Sequence, residues 1–406
     1  MAELQFAAQS YQARSMQLLA QQCMNAFVEP TPKEGKTQMP IYGIPGLNLF
    51  SRFGNGPVQQ MHIMLDTLYA ISGGELWSIN YSDALNAPAG TSVPATFWGE
   101  TSIGGLYVSM ADNANQLVMV DGDVAWIFQW GGLNQVTTAT QEAGATFVEA
   151  NIIGTITSGD TIFIALDSGA TLTTTATVTV GPLDLGIAFA DPLPAVLTAG
   201  AIIIDPSNTL AAITAPSFQP ATTVRYFDGY FVFSAKNTRQ FFLSSINDGT
   251  QYSGLDFATA SSGSDFIQAV EIYHEQLLLF CRTYTEIWWD SGAVTFPFLR
   301  YDAAQIARGL ASPYAVCSED NTVFWIGEDG ISYRLNGFQP TRISTFAMEH
   351  AWAQYPLKFN DVSMFVLDQE GHKFVVCNFF SGCATWVYDI GSTLWHERQS
   401  FGTPWV

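Results

Sequence analysis

The chain has 406 residues, of which 14% are aromatic and 13% charged, a composition that excludes a disordered protein and suffices for a large core. Its formal net charge is −21, and no Lys or Arg occurs between Arg52 and Arg225. Because tight nucleic-acid binding needs cations at the phosphates, this distribution argues against a protein that grips DNA.

The N-terminal segment, residues 11–28, is the stretch with helix-like spacing. Met16, Leu19, Cys23 and Phe27 recur at intervals of three or four, which favours an amphipathic helix. Its Ser, Gln and Asn content leaves an extended arm as an equal alternative. We expect helix mainly here, and we expect the arm to dock on a neighbouring protein because its apolar residues have no evident partner in the chain. The candidate assembly residues are Tyr11, Arg14, Met16, Leu19 and Phe27.

Strand patterns follow the arm. Residues 62–79 and 107–128 each hold two β-branched and aromatic runs around a turn, with Gly73-Gly74 in the first and Asp121-Gly122 in the second. The two units lie about 45 residues apart, a spacing that is typical of propeller blades.

The composition changes between residues 133 and 217. Aromatic residues nearly vanish, and apolar residues alternate with Thr and Ser over residues 151–180, as in short exposed strands. We interpret this region as a small inserted β domain, with an extra blade of unusual composition as the alternative.

The second half repeats one pattern about every 45 residues, in residues 224–243, 272–289, 314–335 and 362–388. Strands at this period predict an all-β protein: a β-propeller with an inserted small β domain and an N-terminal arm. The predicted domains are the arm (1–38), a first part of the propeller (39–132), the insert (133–217) and a second part (218–406). Within the second part we expect blades near 218–265, 266–312, 313–357 and 358–406.

The sequence gives no catalytic constellation. Asp121 with Asp123, and Glu319 with Asp320, are interpreted as solvated turn residues rather than as the paired carboxyls of a glycosidase. Residues 245–252 resemble the Asp-box turn of sialidase-type propellers, which is structural. We expect periodic Trp residues, such as Trp288, Trp289, Trp325, Trp386 and Trp395, to pack between blades.

The chain offers no clear signal for a cofactor, a metal or a membrane. Its five cysteines lack metal-binding spacing and predict free thiols in a reducing compartment. No apolar run approaches about 18 residues, and the first residues do not resemble a signal peptide, so we expect no stable membrane insertion. We predict a non-enzymatic protein without cofactors or metal sites.

Several motifs, in order along the chain, carry a family resemblance. They include Gln22-Cys23-Met24-Asn25, Phe227-Asp228-Gly229-Tyr230-Phe231, Asn336-Gly337-Phe338-Gln339-Pro340 and Trp395-His396-Glu397-Arg398. Together they resemble the packaged-DNA stabilisation, or tail hub (nozzle), proteins of short-tailed bacteriophages. The insert has no counterpart among these motifs. Relatives continue beyond the Trp395–Arg398 motif, so the blade count and the closure of the last blade stay open.

The resemblance implies a structural protein of the virion tail, assembled in the host cytoplasm. Six copies would form a ring below the portal and adaptor, close the DNA exit, and hold tail spikes, a fibre or a needle. DNA would only pass through the channel. The arm would then dock on a neighbouring subunit or on the adaptor. A carbohydrate-binding or glycan-cleaving propeller is the alternative.

Acids in the cation-free interval fit this reading. Six copies of one carboxylate would surround a channel with like charge and hold an anionic duplex off its wall. The alternative is that the negative charge keeps the protein soluble. The candidate channel acids are Asp66, Glu75, Asp112, Asp121 and Asp123.

Overall fold

The computed structural model describes residues 9–12, 20–30, 39–54, 56–88, 91–130, 135–151, 156, 158–167, 171–178, 180, 186–199, 201–204, 209–293, 295–400 and 403–404. Most of the described chain is β-strand, and its two α-helices are short. Neither described helix is long and apolar enough to cross a membrane.

The N-terminal segment is extended where it is described. It contains β1 (Tyr11–Gln12), β2 (Ala20–Gln21), β3 (Ala26–Val28) and β4 (Ile41–Gly43). β1 pairs with β2, and β3 pairs with β4, both antiparallel. The expectation of helix in this segment is wrong for its described residues, and both described helices lie elsewhere; residues 13–19 lie outside the description.

The first blade is a four-stranded antiparallel sheet. Its elements are β5 (Val58–Met64), β6 (Thr67–Ser72), β7 (Glu75–Asn80), α1 (Tyr81–Asn86) and β8 (Thr96–Glu100). Helix α1 lies in the connection between the third and fourth strands. Gly73 and Gly74 form the second hairpin turn with φ of 59° and 83°, the left-handed conformation that glycine adopts without a steric penalty.

The second blade is interrupted by the insert. Its first three strands are β9 (Ser109–Asp112), β10 (Gln116–Val120) and β11 (Ala125–Gln129). The insert follows as β12 (Gln135–Thr137), β13 (Phe147–Asn151), β14 (Thr161–Ala165), β15 (Thr171–Thr175), β16 (Gly186–Ala188) and β17 (Ile202–Ile204). The chain then returns as β18 (Thr209–Ala212), which pairs with β11 and completes the blade.

This return corrects the predicted end of the insert at residue 217. β18 belongs to the propeller, and Ile213, which lies before residue 217, packs with Phe218 on the core of blades 2 and 3. Gln129 and Thr209 are register partners, so the two connections to the insert lie side by side. The sequence did not show this strand because its four residues, Thr-Leu-Ala-Ala, share the composition of the insert.

The strands of the insert form a closed barrel. The sheet order is β15-β14-β17-β12-β13-β16, and an Ala176–Phe189 bridge joins its two ends. Thr177 N–H donates to the Ala188 carbonyl and Ala190 N–H to the Thr175 carbonyl, each at 2.9 Å. The barrel encloses its own apolar core, which includes Val148, Ile162, Ile187, Leu197 and Ile203. Closure leaves no free edge among the described strands of the insert, which suits a small domain carried between two strands.

Four further four-stranded blades follow in chain order. The third is β19 (Ala221–Phe227), β20 (Tyr230–Ala235), β21 (Gln240–Ser245) and β22 (Asp248–Thr259). The fourth is β23 (Ile267–Tyr273), β24 (Gln276–Cys281), β25 (Thr285–Asp290) and β26 (Phe298–Ile306).

The fifth blade is β27 (Val316–Glu319), β28 (Thr322–Ile326), β29 (Ser332–Asn336) and β30 (Gln339–Arg342), followed by α2 (Phe346–Trp352). The sixth is β31 (Val362–Gln369), β32 (His372–Phe379), β33 (Ala384–Asp389) and β34 (Trp395–Glu397). A short pair, β35 (Gln399–Ser400) and β36 (Thr403–Pro404), ends the description. The prediction of a propeller is thereby confirmed, with six blades.

The first strand of each blade lies innermost, where it contacts the first strand of the next blade along the chain, from β5 through to β31. Apolar clusters fill the junctions between blades 1 and 2, 2 and 3, and 3 and 4, and one large cluster spans blades 4, 5 and 6. Among the described residues, no such cluster joins blade 6 to blade 1. We call this sixth junction the seam.

Candidate functional site

The propeller axis holds a polar cluster contributed by the innermost strands. Arg225 on β19 donates from Nη2 to Oε2 of Glu271 on β23 at 2.7 Å, and from Nη1 to Oγ of Ser109 on β9 at 3.2 Å. Ser318 on β27 donates to Oε1 of Glu271 at 3.0 Å. Burial opposes the charge on Arg225, but Glu271 outweighs it and raises the pKa of the guanidinium. Four blades are thus tied together at the axis by one ion pair and two hydroxyls.

Aromatic side chains occupy one end of the axis. The rings of Tyr107 and Tyr314 lie 5.0 Å apart. Tyr107 donates to the Asp361 carbonyl at 3.1 Å, and Tyr314 donates to the Tyr107 carbonyl at 3.2 Å. Burial is the main cause that raises the pKa of Tyr107, so the hydroxyl stays protonated as a donor. These two side chains therefore lie across the centre of the propeller at this end.

The candidate channel acids divide between the two faces of the propeller. We call the face at which each first strand ends the lower face, and the opposite one the upper face. Asp66 follows β5 and Asp112 ends β9, which places both at the lower face. Glu75 begins β7, and Asp121 and Asp123 lie in the turn between β10 and β11, which places these three at the upper face. The structure therefore does not bring all five acids to one surface.

Their contacts also differ. Asp66 is exposed, whereas Asp112 pairs with His62 of β5 at 2.6 Å, a link between blades 1 and 2. Glu75 accepts from the Trp77 indole at 3.0 Å. Asp123 pairs with Lys236 of blade 3 at 2.5 Å.

Asp121 stabilises a turn. Burial opposes its ionisation, but backbone N–H groups of Val124, Asp123, Gly105 and Gly104 donate to its carboxylate and hold its pKa below the usual value. Its oxygens accept these four hydrogen bonds at 3.0–3.1 Å. The carboxylate thus fixes the loop that leads into blade 2.

The arm residue Phe27 packs on the chain's own last blade. Its ring is buried, with centroids 5.6 Å from Phe374 and 4.8 Å from His372. The expectation that the arm's apolar residues lack a blade partner is therefore wrong for Phe27. The sequence could not reveal this because the partners lie some 345 positions away along the chain.

Backbone hydrogen bonds run between the arm and β34. Asn25 N–H donates to the Glu397 carbonyl at 2.9 Å, and Glu397 N–H donates to the Cys23 carbonyl at 2.9 Å. The Asn25 side chain exchanges two more bonds with the Gln399 backbone, at 2.8 and 2.9 Å. Asn25 has a φ of 52°, a left-handed conformation that Asn tolerates better than most residues. The arm thus extends the outer edge of blade 6.

Two buried polar side chains of the last motif support this edge. Nε of Arg398 donates to Nε2 of His396 at 3.0 Å, and Nη1 donates to Gln369 at 3.0 Å. The guanidinium lies 4.4 Å from the centre of the Phe374 ring. Burial, with a smaller contribution from Arg398, lowers the pKa of His396 to about 3, so this imidazole is neutral and accepts. The sequence carried a signal for this contact between the chain ends, because motifs near both ends belong to the same family resemblance.

The remaining arm residues cannot be placed. Arg14, Met16 and Leu19 lie outside the described residues, and only the backbone of Tyr11 is described. Their role in assembly stays a prediction.

The carboxylates that were considered for catalysis take part in structural contacts. Glu319 pairs with Lys373 at 2.6 Å, and the hydrogen bond from Lys373 is the largest cause that lowers the pKa of Glu319. Asp320 pairs with Arg334 at 2.9 Å. The Asp-box-like residues form the hairpin turn between β21 and β22. Among described residues, no group of three or more His, Cys, Asp or Glu is placed to hold a metal ion.

Four of the five Trp residues expected between blades are buried: Trp288, Trp325, Trp386 and Trp395. Trp289 is the exception, with 42% of its surface exposed. It follows Trp288 on β25, and successive side chains on a strand point to opposite faces.

The match to a family model agrees with the fold. The model of a family described as bacteriophage P22 Gp10, β-propeller, matches residues 190–400, about half of the chain. No curated protein matches the chain.

Solved structures match over most of the chain at low identity. The computationally designed Ika8 protein is 10% identical, with 88% of this chain and 92% of that chain covered and a TM-score of 0.39. The N-terminal domain of Nup159 is 8% identical, with coverage of 87% and 77% and a TM-score of 0.37. Hsv2p of Kluyveromyces lactis is 9% identical, with coverage of 84% and 97% and a TM-score of 0.31. These scores carry no argument about function.

Proposed function

We propose, from the fact that this chain belongs to the family of the bacteriophage P22 Gp10 β-propeller, that it is a non-enzymatic subunit of a ring in the virion tail. The chain is a phage structural β-propeller protein. In our proposal six copies form a nozzle below the portal and adaptor. The nozzle closes the DNA exit, stabilises packaged DNA and holds a spike, fibre or needle for ejection. Family membership is the observation that carries this proposal.

Charge supports a passive relation to DNA. The net charge is −21, and the cations of the propeller are largely engaged in ion pairs. Examples are Arg225 with Glu271, Lys236 with Asp123 and Arg334 with Asp320. A cation held by a carboxylate offers little to a phosphate, so counterion release from DNA would be small. We therefore expect negligible binding to duplex DNA at physiological salt.

The division of the acids sharpens the channel proposal. If one face of each propeller lines a common duct, that face presents either Asp66 with Asp112 or Glu75 with Asp121 and Asp123. Among the candidate acids without a described ion pair, Asp66 is the most exposed. Within the proposal, Asp66 is the best candidate for a ring of like charge.

The carbohydrate alternative has less support. A glycosidase needs two carboxyls free to act on either side of a bond. Here Asp123, Glu319 and Asp320 are each paired with a Lys or Arg.

DNA retention by particles made without this protein tests the proposal. We expect such particles to package DNA and then lose it to added nuclease, and we expect purified protein to restore protection. Heat-unfolded protein is the control for specific attachment. Equal retention with and without the protein, or failure of the folded protein to attach, contradicts the proposal.

A further inference from the structure

The seam is held differently from the other five junctions. Innermost strands β5 and β31 contact each other more weakly than any other two neighbouring innermost strands. On β5, His62 and Met64 face blade 2, so Met61 and Ile63 face the seam, where they are 54% and 67% exposed. Blades 1 and 6 therefore pack little against each other, and another part of the molecule must hold them together.

Each of these two blades has its own apolar cluster on the face toward the seam. In blade 6, Phe27 of the arm packs with Phe374. In blade 1, Phe53 packs with Ala70, which alternates on β6 with residues that face blade 2. The two clusters have no described residue in common. The seam therefore lies between two separate apolar surfaces, and the chain that precedes blade 1 contributes a Phe to each.

The same chain segment joins the two clusters. We call it the strap, and it comprises the described residues 23–30 and 39–53. Ile44 packs on the blade 6 cluster, and the Phe50 carbonyl accepts from Val93 N–H of blade 1 at 2.8 Å. Residues 45–49 between them are exposed and belong to no strand. Six residues of extended chain span about 20 Å at most, so the strap limits the width of the seam while both of its ends are bound.

The end of the strap on blade 1 is anchored in the interior of that blade. Phe53 is only 8% exposed. Its carbonyl accepts from the hydroxyl of Ser72, a fully buried residue of β6, at 2.6 Å. The Ser51 hydroxyl donates to the Val93 carbonyl at 2.6 Å. This end therefore stays bound for as long as blade 1 is folded.

The end on blade 6 is bound at the outer edge of that blade. The Asn25 backbone donates to the Glu397 carbonyl and accepts from Ile44 N–H, and its side chain exchanges two bonds with the Gln399 backbone. Phe27 supplies the buried ring of this contact. Segments that are held by few buried apolar contacts open locally before the whole protein unfolds. We therefore expect this end of the strap to detach first.

A separate link lies on the axial side of the seam. Tyr107, at the entry to blade 2, donates to the Asp361 carbonyl at the entry to blade 6 at 3.1 Å. Its ring lies 5.0 Å from that of Tyr314, at the entry to blade 5. These contacts do not involve the strap. They keep blade 6 attached at the axis when the strap is released, so the seam opens at its outer side.

We propose that the strap closes the propeller, and that release of its end on blade 6 opens the ring of blades at the seam. The strap replaces the shared apolar cluster that joins the other neighbouring blades. Opening exposes the edge of β34 and the ring of Phe374, while blade 6 stays packed on blade 5. This device is independent of the proposed ring of subunits, because every contact in it lies within one chain.

Hydrogen exchange of the full chain, followed by mass spectrometry, tests whether the strap detaches as a unit. Phe27→Ala removes the buried ring. Asn25→Ala removes two side-chain hydrogen bonds and leaves the core of blade 6 intact, so it keeps the test valid if the first variant does not fold. Leu47→Ala, at a site that is 57% exposed between the two ends of the strap, is the matched control.

We expect exchange in residues 22–28 and 395–400 to accelerate by one common factor in each variant. The factor should be on the order of 100-fold for Phe27→Ala and 10-fold for Asn25→Ala. Residues 221–245 of blade 3 should exchange as in the wild type, and the control should match the wild type everywhere.

Spin labels measure the opening itself. They are placed in protein with Cys383→Ser, which removes an exposed native thiol. A pair at Asp66→Cys and Asp368→Cys spans the seam, and a matched pair at Glu275→Cys and Asn321→Cys spans the junction of blades 4 and 5. All four positions are exposed and lie at the ends of innermost strands or in the turns that follow them. We expect the strap variants to add a longer distance to the seam pair and to leave the other pair unchanged.

Three results overturn the inference. The first is exchange at residues 22–28 and 395–400 that both variants leave as in the wild type. The second is a seam distance that keeps its wild-type value although exchange shows that the strap has detached. The third is an equal change in both pairs of labels, which would show that the blades loosen everywhere and that the seam is not a special junction.

Discussion

The junctions among blades 4, 5 and 6 and the seam between blades 6 and 1 join similar sheets in different ways. The first are apolar and rich in aromatic residues, with Trp325, Trp352 and Trp395 among their fully buried side chains. At the seam the arm covers blade 6 through Phe27 and backbone hydrogen bonds, and large apolar side chains stay exposed. The difference teaches that buried apolar clusters join the blades at five junctions, whereas at the sixth the described cover of blade 6 comes from the arm.

Removing an aromatic residue from one of these apolar junctions should have the largest effect. Trp325 is fully buried and stacks on Tyr333, with ring centroids 5.3 Å apart. We expect Trp325→Ala to lower the free energy of unfolding by about 3–5 kcal/mol through lost contacts and a cavity. Urea unfolding measures this, with the exposed Trp289→Ala as a control that should change stability by about 0.5 kcal/mol or less. Similar losses in both variants would show that the junctions do not hold the propeller together.

Phe27→Ala tests how the arm contributes at the seam. The buried ring contacts Phe374, so we expect a loss of about 3 kcal/mol. Because the arm lies at the edge of blade 6, we also expect faster amide exchange in residues 22–28 than in blades 2 to 5. Ile41→Ala, at an exposed site on the adjoining strand, is the control. Uniform exchange across all blades would contradict the idea that the seam opens locally.

The free energy of unfolding should also fall in acid, because of a buried histidine in blade 6. The pKa of His396 is about 3 in the folded protein, below the unfolded value of about 6.5. The unfolded chain therefore binds more protons between these values, and the free energy of unfolding falls as the pH falls through this window. From pH 8 to pH 5 we expect this one group to account for a loss of about 2 kcal/mol.

Urea midpoints at the two pH values measure this effect. We expect His396→Gln to show a smaller pH dependence than the wild type, while His350→Gln, at an exposed site on α2, keeps it. An unchanged pH dependence in His396→Gln would locate the acid sensitivity elsewhere.

Deleting the insert should have the smallest effect. Gln129 and Thr209 are register partners and Trp130 packs on the core of blades 1 and 2, so a short Gly/Ser loop can replace residues 131–208. We expect the free energy of unfolding of the propeller to change by about 1 kcal/mol or less, since loop closure depends weakly on length. Deletion of residues 133–217 also removes β18 and should destabilise blade 2. Equal behaviour of the two deletions would mean that β18 is not needed by its blade.

The sequence predicted the features that arise from residues close together along the chain. Hairpin turns and β-branched runs recur within each blade, so their period of about 45 residues was readable and the propeller followed from it. The contacts of Phe27 with His372 and Phe374 were not readable, because they join the two ends of the chain. β18 was missed because its composition matches the insert. The faces of the channel acids became clear only from the strand order.

Reconstruction of the virion tail by electron cryo-microscopy tests the central claim most directly. We predict a ring of copies of this chain at the DNA exit. A particle in which this chain lies elsewhere, or in which its copies form no ring, would contradict the account.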